Sequence, residues 1–253
     1  MSARTIFCRH CGAAGAKKYG KDRQRRQRYK CPHCKKIFNN RTNTIRSGSQ
    51  LSDREWNLAS RLFATRGGMS GTDLGRILGC HRRTGQQMNR KLRQVVVGFM
   101  PTELPGESEW DEAIMSKQWV LGGVSRDTGQ CVMGCIPNRR TDTLVPLVTH
   151  YSDTNGLVFT DEWYAYYPIP NRWSVCHSKE YVRSDARFVH TNTQEGIWGH
   201  LKPLGRHIYR GFPRASLSKY LSEFMFRYNI RDYENRVSVL SALLTRKTNS
   251  LLS

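Results

Sequence analysis

The sequence has 253 residues, enough for one large domain or two to three small ones, each with its own buried core. It carries 41 Lys+Arg against 20 Asp+Glu, a formal net charge of +21, which marks a polyanionic partner, nucleic acid above all. A hydrophobic content of 38% with six Trp excludes a wholly disordered basic tail. There is no run of about 18 apolar residues and no signal-peptide core after Met1, so neither a membrane span nor secretion is expected, and the eight Cys are expected to be reduced.

The charge is uneven. Residues 1–50 hold 14 basic residues and one acid, Asp22; residues 51–105 hold nine and four; residues 106–253 hold 18 and 15. A basic front and a near-neutral back predict DNA binding first and a different task behind it. Two seams divide the chain: the polar stretch 39–48, and 101–106, where Pro101, Pro105 and Gly106 stop a helix. The predicted domains are 1–48, 49–100 and 106–235, with a tail at 236–253.

In the first domain, Cys8-Arg-His-Cys11 and Cys31-Pro-His-Cys34 are two C-x2-C knuckles 19 residues apart. Each delivers two thiolates from one tight turn, and four thiolates complete a tetrahedral zinc shell. Cys8, Cys11, Cys31 and Cys34 are therefore the predicted structural zinc ligands, on a ribbon with short strands around 27–31 and 37–38. Arg23, Arg25, Arg26, Arg28 and Lys30 lie between the knuckles and present charge to phosphates.

Residues 51–97 read as three helices. Ser52 and Glu55 form a capping box for the first, with Trp56, Ala59 and Phe63 on one face and Gly67-Gly68 as its stop. Ser70 starts the second, whose Leu74, Ile77 and Leu78 point inward, and Gly79 ends it. The third turns Met88, Leu92 and Val95 or Val96 inward. Its other face carries Arg82, Arg83, Gln86, Gln87, Arg90 and Lys91. A short helix, a glycine turn and a basic helix make a helix-turn-helix pattern, the last helix suited to a major groove.

From Glu107 the texture is α/β. Strands are predicted at 107–115, 119–125 and 131–137, a helix at 141–150, strands at 157–161 and 173–177, and helices at about 192–202 and 216–231. Asp111 lies in the first of these strands and Asp161 at the C-terminal end of another, where α/β ligands sit. Glu195 follows near a helix start, with Lys202 two turns further on the same side. Ile197, Leu201 and Leu204 face the core, leaving Glu195, Trp198 and Lys202 outward. Hard oxygen ligands from separate elements suit Mg²⁺ or Mn²⁺, and two such ions about 3.5–4 Å apart serve phosphodiester chemistry. Asn192 and Glu195 also fit a capping box, which gives Glu195 a purely structural alternative.

The ordered motifs settle more. Thr160-Asp161-Glu-Trp163-x-x-Tyr166, His177, His190-Thr-Asn192-x-x-Glu195-Gly-x-Trp198-x-x-Leu201-Lys202 and Tyr220-Leu-x-Glu223-Phe-x-Phe-Arg227-x-Asn229 follow one another. Together they resemble the zinc-ribbon DDE transposases of bacterial insertion sequences, whose eukaryotic relatives are the Merlin-type transposases. Trp110-Asp111-Glu112 resembles their first catalytic acid, and the likeness runs from the knuckles to about Asn235. It implies an RNase H-like catalytic domain with a mixed sheet, behind the zinc ribbon and the helix-turn-helix. It also implies Asp111, Asp161 and Glu195 as ligands of two Mg²⁺ or Mn²⁺ ions, with Lys202 positioning DNA. Some relatives carry Asn at the third acidic position; here the seven-residue step to Lys202 points to Glu195. The link after Asp111-Glu112 is shorter and poorer in Gly than in many relatives.

The resulting expectation is a transposase that binds terminal inverted repeats, cuts there and joins the 3′-hydroxyls to target DNA. Joining two ends implies a synaptic homo-oligomer; the compartment implied is the bacterial cytoplasm with its nucleoid, or the nucleus in a eukaryote. Two rivals share parts of the pattern: a transposase-derived DNA-binding regulator without catalysis, which the intact acids and Lys202 argue against, and a structure-specific nuclease of the same fold.

Overall fold

The computed structural model describes residues 5–65, 67–176 and 185–231, with 239, 242, 244 and 245 beyond them. Of the predicted tail 236–253 only those four positions are described, and His177 lies outside the described residues. The described residues form two compact units, one of residues 5–61 with 239, 242, 244 and 245, the other from residue 62 to residue 231.

The first unit holds a three-stranded antiparallel sheet of β1 (Lys17–Lys21), β2 (Gln27–Lys30) and β3 (Ile37–Phe38), in that order. β2 and β3 lie where the sequence placed strands. β1 was not foreseen, because Lys-Lys-Tyr-Gly-Lys has no apolar alternation and is exposed throughout. It exists through pairing with β2 (Lys17 opposite Lys30, Lys18 opposite Tyr29). The core beneath is small: Cys8, Ala16, Cys31 and Phe38.

The polar seam 39–48 is not a solvated linker. Arg41, Thr44, Ile45 and Arg46 are all buried, because the guanidiniums of Arg41 and Arg46 donate to Asp53 Oδ1 at 2.9 and 2.7 Å. The capping box of α1 (Asp53–Phe63) forms as expected: Ser52 N donates to Glu55 Oε2 (2.6 Å) and Glu55 N to Ser52 Oγ (3.2 Å). Trp56, Ala59 and Phe63 are buried, and the helix ends at Phe63 rather than at Gly67.

The second unit begins with α2 (Gly71–Ile77) and α3 (Arg82–Val96). The Ser70 side chain caps α2 by accepting from Asp73 N, and Gly79 takes the left-handed turn (φ +64) between the helices. The two helices meet backbone to backbone. A Cβ on Gly85 would stand 2.2 Å from Gly71 O and 2.5 Å from Gly75 N, so only glycine fits there. That crossing uses a narrow strip of α2, which explains one correction: Leu74 is buried, but Ile77 is 51% exposed instead of facing inward. In α3, Met88, Leu92, Val95 and Val96 are all buried.

The remaining elements are a mixed five-stranded sheet with helices on both faces. β4 (Ser108–Met115), β5 (Gln118–Ser125) and β6 (Cys131–Ile136) form an antiparallel meander. β7 (Val158–Asp161) adds parallel to β4, and β8 (Arg172–Val175) parallel to β7, for the order β6-β5-β4-β7-β8. α4 (Thr141–Tyr151) crosses over between β6 and β7. α5 (Asn192–Pro203) and α6 (Leu217–Asn229) follow the sheet. Alternation along β4 builds two cores: Trp110 packs with Leu144 and Val148 of α4, while Ala113 and Met115 pack with Ile197, Trp198 and Leu201 of α5 and Phe224 of α6. Cys131 and Cys135 lie in β6 as packing residues.

α3 belongs to the same unit and is fastened to α6. Arg93 Nε donates to Glu223 Oε2 at 2.5 Å, and Arg227 and Tyr209 donate to the other oxygen of the fully buried Glu223. The Arg93 guanidinium also lies 3.9 Å from the Tyr220 ring centre.

Candidate functional site

The four knuckle sulfurs come together: Cys8, Cys11, Cys31 and Cys34 place their Sγ atoms within 4.8 Å of one another, with Cys8–Cys34 and Cys11–Cys31 both at 3.7 Å. The two knuckles repeat one backbone design. Gly12 N donates to Cys8 O and Lys35 N to Cys31 O, and both Gly12 (φ +79) and Lys35 (φ +61) are left-handed. Burial alone would raise the Cys8 thiol, but N–H groups of Cys11 and His10 directed at its sulfur outweigh it and bring it down to about 6. Cys34 moves the other way: the Lys36 N–H lowers it, but burial and the sulfurs of Cys11, Cys8 and Cys31 outweigh that and bring it up to about 11. Four soft sulfur donors in this arrangement fit zinc.

Of the basic residues singled out between the knuckles, Arg25 is exposed at a left-handed turn (φ +60). Arg26 is half-buried and pairs with Asp22 at 2.7 Å, and Arg28 is half-buried with its guanidinium 5.8 Å from the Tyr19 ring centre. On α3, Arg82, Arg83, Gln86, Gln87 and Arg90 are all exposed on one surface, while Lys91 is half-buried.

The acids assemble at the sheet. β4 and β7 run parallel with Glu109 beside Phe159, so two residues further along Asp111 and Asp161 reach equivalent positions on neighbouring strands. Their carboxylates, with that of Glu112, offer oxygens within 4.8 Å of one another. Glu195, on α5, is not one of those three, yet it is close enough to act on Asp111. The Asp111 carboxyl is pushed above its ordinary value by burial, with the charges of Asp161 and Glu195 adding to the rise and N–H donors from Trp198 and Glu112 opposing it. Lys202 is exposed two turns along α5 from the half-buried Glu195.

Each carboxylate is aimed. Trp198 Nε1 donates to Asp111 Oδ2 (2.8 Å) and Glu112 N to Asp111 Oδ1 (2.8 Å); Trp163 N donates to Asp161 Oδ1 (3.0 Å). Arg139 Nε donates to Glu112 Oε1 (2.9 Å), and Arg139 is itself held over Trp163, whose indole donates back to Arg139 O. Glu112 Oε2 is buried beside the Tyr166 hydroxyl, and burial raises the Glu112 carboxyl while Tyr166 and Arg139 oppose the rise. Three carboxylates that offer oxygens within 4.8 Å of one another suit a divalent cation such as Mg²⁺.

α5 is placed by a residue that the sequence did not flag. Glu109, two positions before Asp111, is completely buried and caps the helix: its Oε2 accepts from Thr193 N (2.8 Å) and Gln194 N (3.0 Å), its Oε1 from Thr193 Oγ1 (2.9 Å). Arg126 balances its charge, with Nε 2.8 Å from Glu109 Oε1, and also holds the carbonyls of Phe188 and His190. The Asn192–Glu195 capping box is accordingly replaced: the N-cap is Thr191, without a side-chain cap, and the free N–H groups go to Glu109. Trp198 is also corrected. It is buried rather than outward, because opposite Asp111 stands Gly122, where a Cβ would meet the indole at 2.7 Å. An acid at Glu109 with the strand periodicity of Asp111 was the one available signal; Arg126 and Arg139 carried none.

A mixed sheet covered by helices on both faces, with carboxylates converging on adjacent parallel strands, is consistent with an RNase H-like transposase domain. The chain belongs to the ISXO2-like transposase family, whose domain matches residues 81–229, from the start of α3 to the end of α6. It is also similar to an uncharacterized transposase-like protein of Haemophilus influenzae, 24% identical over 115 residues that make up 43% of this chain and 89% of that protein. Family membership points to a DNA-cutting enzyme that binds DNA. Among the described residues, no helix is long and apolar enough to cross a membrane.

Proposed function

We propose that this protein is a DDE transposase that binds the terminal inverted repeats of an insertion sequence, cleaves at the element ends and joins the freed 3′-hydroxyls to target DNA. The observation that carries the reading is the convergence of Asp111 and Asp161 from neighbouring parallel strands, inside a transposase-family domain. Glu195 completes the metal-binding set and Lys202 contacts a DNA phosphate from the same helix. The ribbon, with zinc on Cys8, Cys11, Cys31 and Cys34, carries Arg25, Arg26 and Arg28 to the backbone. The helix-turn-helix presents Arg82, Arg83, Gln86, Gln87 and Arg90 to the major groove, where Arg and Gln read base edges bidentately. Two ends joined in one event call for a homo-oligomer.

In the reaction, the residues of the chain hold geometry. The N–H groups of Trp198 and Glu112 fix the two Asp111 oxygens, and Trp163 N fixes Asp161, so the carboxylates face one another without rearranging. Asp111, Asp161 and Glu195 would hold divalent ions there, and these would supply the Lewis acidity that eases deprotonation of the attacking water or 3′-hydroxyl. Glu109 keeps α5, and with it Glu195 and Lys202, in register with β4.

The test is incubation with end DNA, target plasmid and Mg²⁺ or Mn²⁺, for wild type and Asp161→Ala. Joined products from the wild type, reduced at least about a hundredfold in the variant, support the reading. Tight binding without cleavage by the wild type means a regulator, and cleavage without joining means a nuclease.

A further inference from the structure

After Asp161 the chain makes a short 3₁₀ turn, Tyr164–Tyr166, continued by Tyr167. Its inner side is Ala165, Tyr166 and Ile169, all buried in the core beneath α4. Its outer side is Tyr164 and Tyr167, 56% and 65% exposed. Residues three apart eclipse one another in a 3₁₀ turn, so the two exposed rings share one face. An anchoring turn needs its inner residues; it does not need tyrosines outside.

Both rings are tied to the acid they follow. Trp163, whose N–H holds the Asp161 carboxylate, lies with its ring 4.6 Å from that of Tyr164. The Arg172 guanidinium is 5.0 Å from the Tyr167 ring centre and donates to Thr160 Oγ1 (3.1 Å) and to Asp161 O (3.3 Å). A cation and two open aromatic faces are thereby fixed to the same strand end as a candidate catalytic carboxylate. Every base has a π-face, and aromatic side chains beside basic groups are how proteins hold unpaired nucleotides.

We propose that Tyr164 and Tyr167, with Arg172, form a stacking site for an unpaired nucleobase of the DNA strand processed at Asp161. The inference rests on the reading of this site as one that acts on DNA ends, and it adds what the protein does with the nucleotides next to the cut: it holds them out of the duplex. Arg172 supplies the charge for the adjoining phosphate.

The experiment uses the full chain without divalent metal and two fluorescein-labelled duplexes of equal length, one blunt and one ending in an unpaired three-thymidine 3′ tail. Anisotropy gives the affinity of each. In Tyr164→Ala/Tyr167→Ala, affinity for the tailed duplex is expected to fall at least about fivefold while the blunt duplex stays within about twofold. Tyr164→Phe/Tyr167→Phe keeps the rings and is expected to bind both duplexes like wild type. Equal loss on both duplexes, or loss on neither, overturns the proposal. Because this binding is read without cleavage, its failure is separable from that of the transposase reading, which falls if the wild type does not join ends to target or if joining survives Asp161→Ala.

Discussion

The cysteine cluster and the acidic cluster each bring ionisable groups to within 4.8 Å, but they are built in opposite ways. The cysteines come from two copies of one tight turn, with matching hydrogen bonds and matching left-handed residues at Gly12 and Lys35. Among the described residues little core surrounds them: Ala16 and Phe38 are the buried neighbours that pack with Cys8 and Cys31. The acids come from different strands, aimed by indole, guanidinium and peptide donors drawn from β4 to α5 and backed by two hydrophobic cores. A small unit leans on its ligand for stability, whereas a large one uses its stability to hold charged groups together.

That contrast can be broken from either side. The largest effect is expected for Cys31→Ser. On the proposed site a structural zinc would contribute on the order of 10 kcal/mol, so the variant should lose stoichiometric zinc and the ordered structure of the first unit. Metal analysis and amide exchange of residues 5–48 check it; a ribbon that stays protected without zinc would show that its own core suffices. Next comes Glu109→Gln, which leaves the half-buried Arg126 with a weakened partner and takes the charge from the α5 cap. Urea unfolding should show a loss of about 3–5 kcal/mol in the second unit, with the ribbon unaffected. A loss below about 1 kcal/mol would sink the positioning role given to Glu109.

The acids themselves should oppose folding when no metal is present. Burial raises the Asp111 and Glu112 carboxyls, so the folded state holds their protons more tightly than the unfolded state does. Metal-free stability should therefore fall as pH rises from the ordinary carboxylate range through the raised values, and Mg²⁺ should remove that slope. Melting temperatures across that window, with and without Mg²⁺, decide the matter; a rise with pH contradicts it. The smallest effect is expected at Lys35, a non-glycine residue at φ +61. Lys35→Gly should relieve about 1 kcal/mol and tighten zinc binding about fivefold in competition with a chelator, while Gly12→Ala does the reverse.

Read from sequence, the cysteine cluster and the capped start of α1 needed only spacing, because a knuckle and a capping box close within four residues. The strands of the sheet came from alternation, and Asp111 and Asp161 from their places in those strands. The buried seam around Arg41 and Arg46 stayed hidden, since its polar composition is that of a solvated loop until Asp53 pairs with both cations. Trp198 was assigned outward by helical periodicity; Gly122, two strands' pairing away from anything local, makes room for it.

What the sequence determined by itself is whatever short-range chemistry encodes: the knuckles, the basic face of α3, the order of the elements, and the placing of Asp111 within one strand and Asp161 at the end of another. What only the tertiary structure decided is which distant groups meet: the register of β4 against β7, the cap that Glu109 gives to α5, Glu112 beside Asp111 and Asp161, and the tie from α3 to Glu223. These contacts span about 50 to 130 residues of chain, and nothing in local propensity or spacing specifies a pairing that loop closure and core packing must select together.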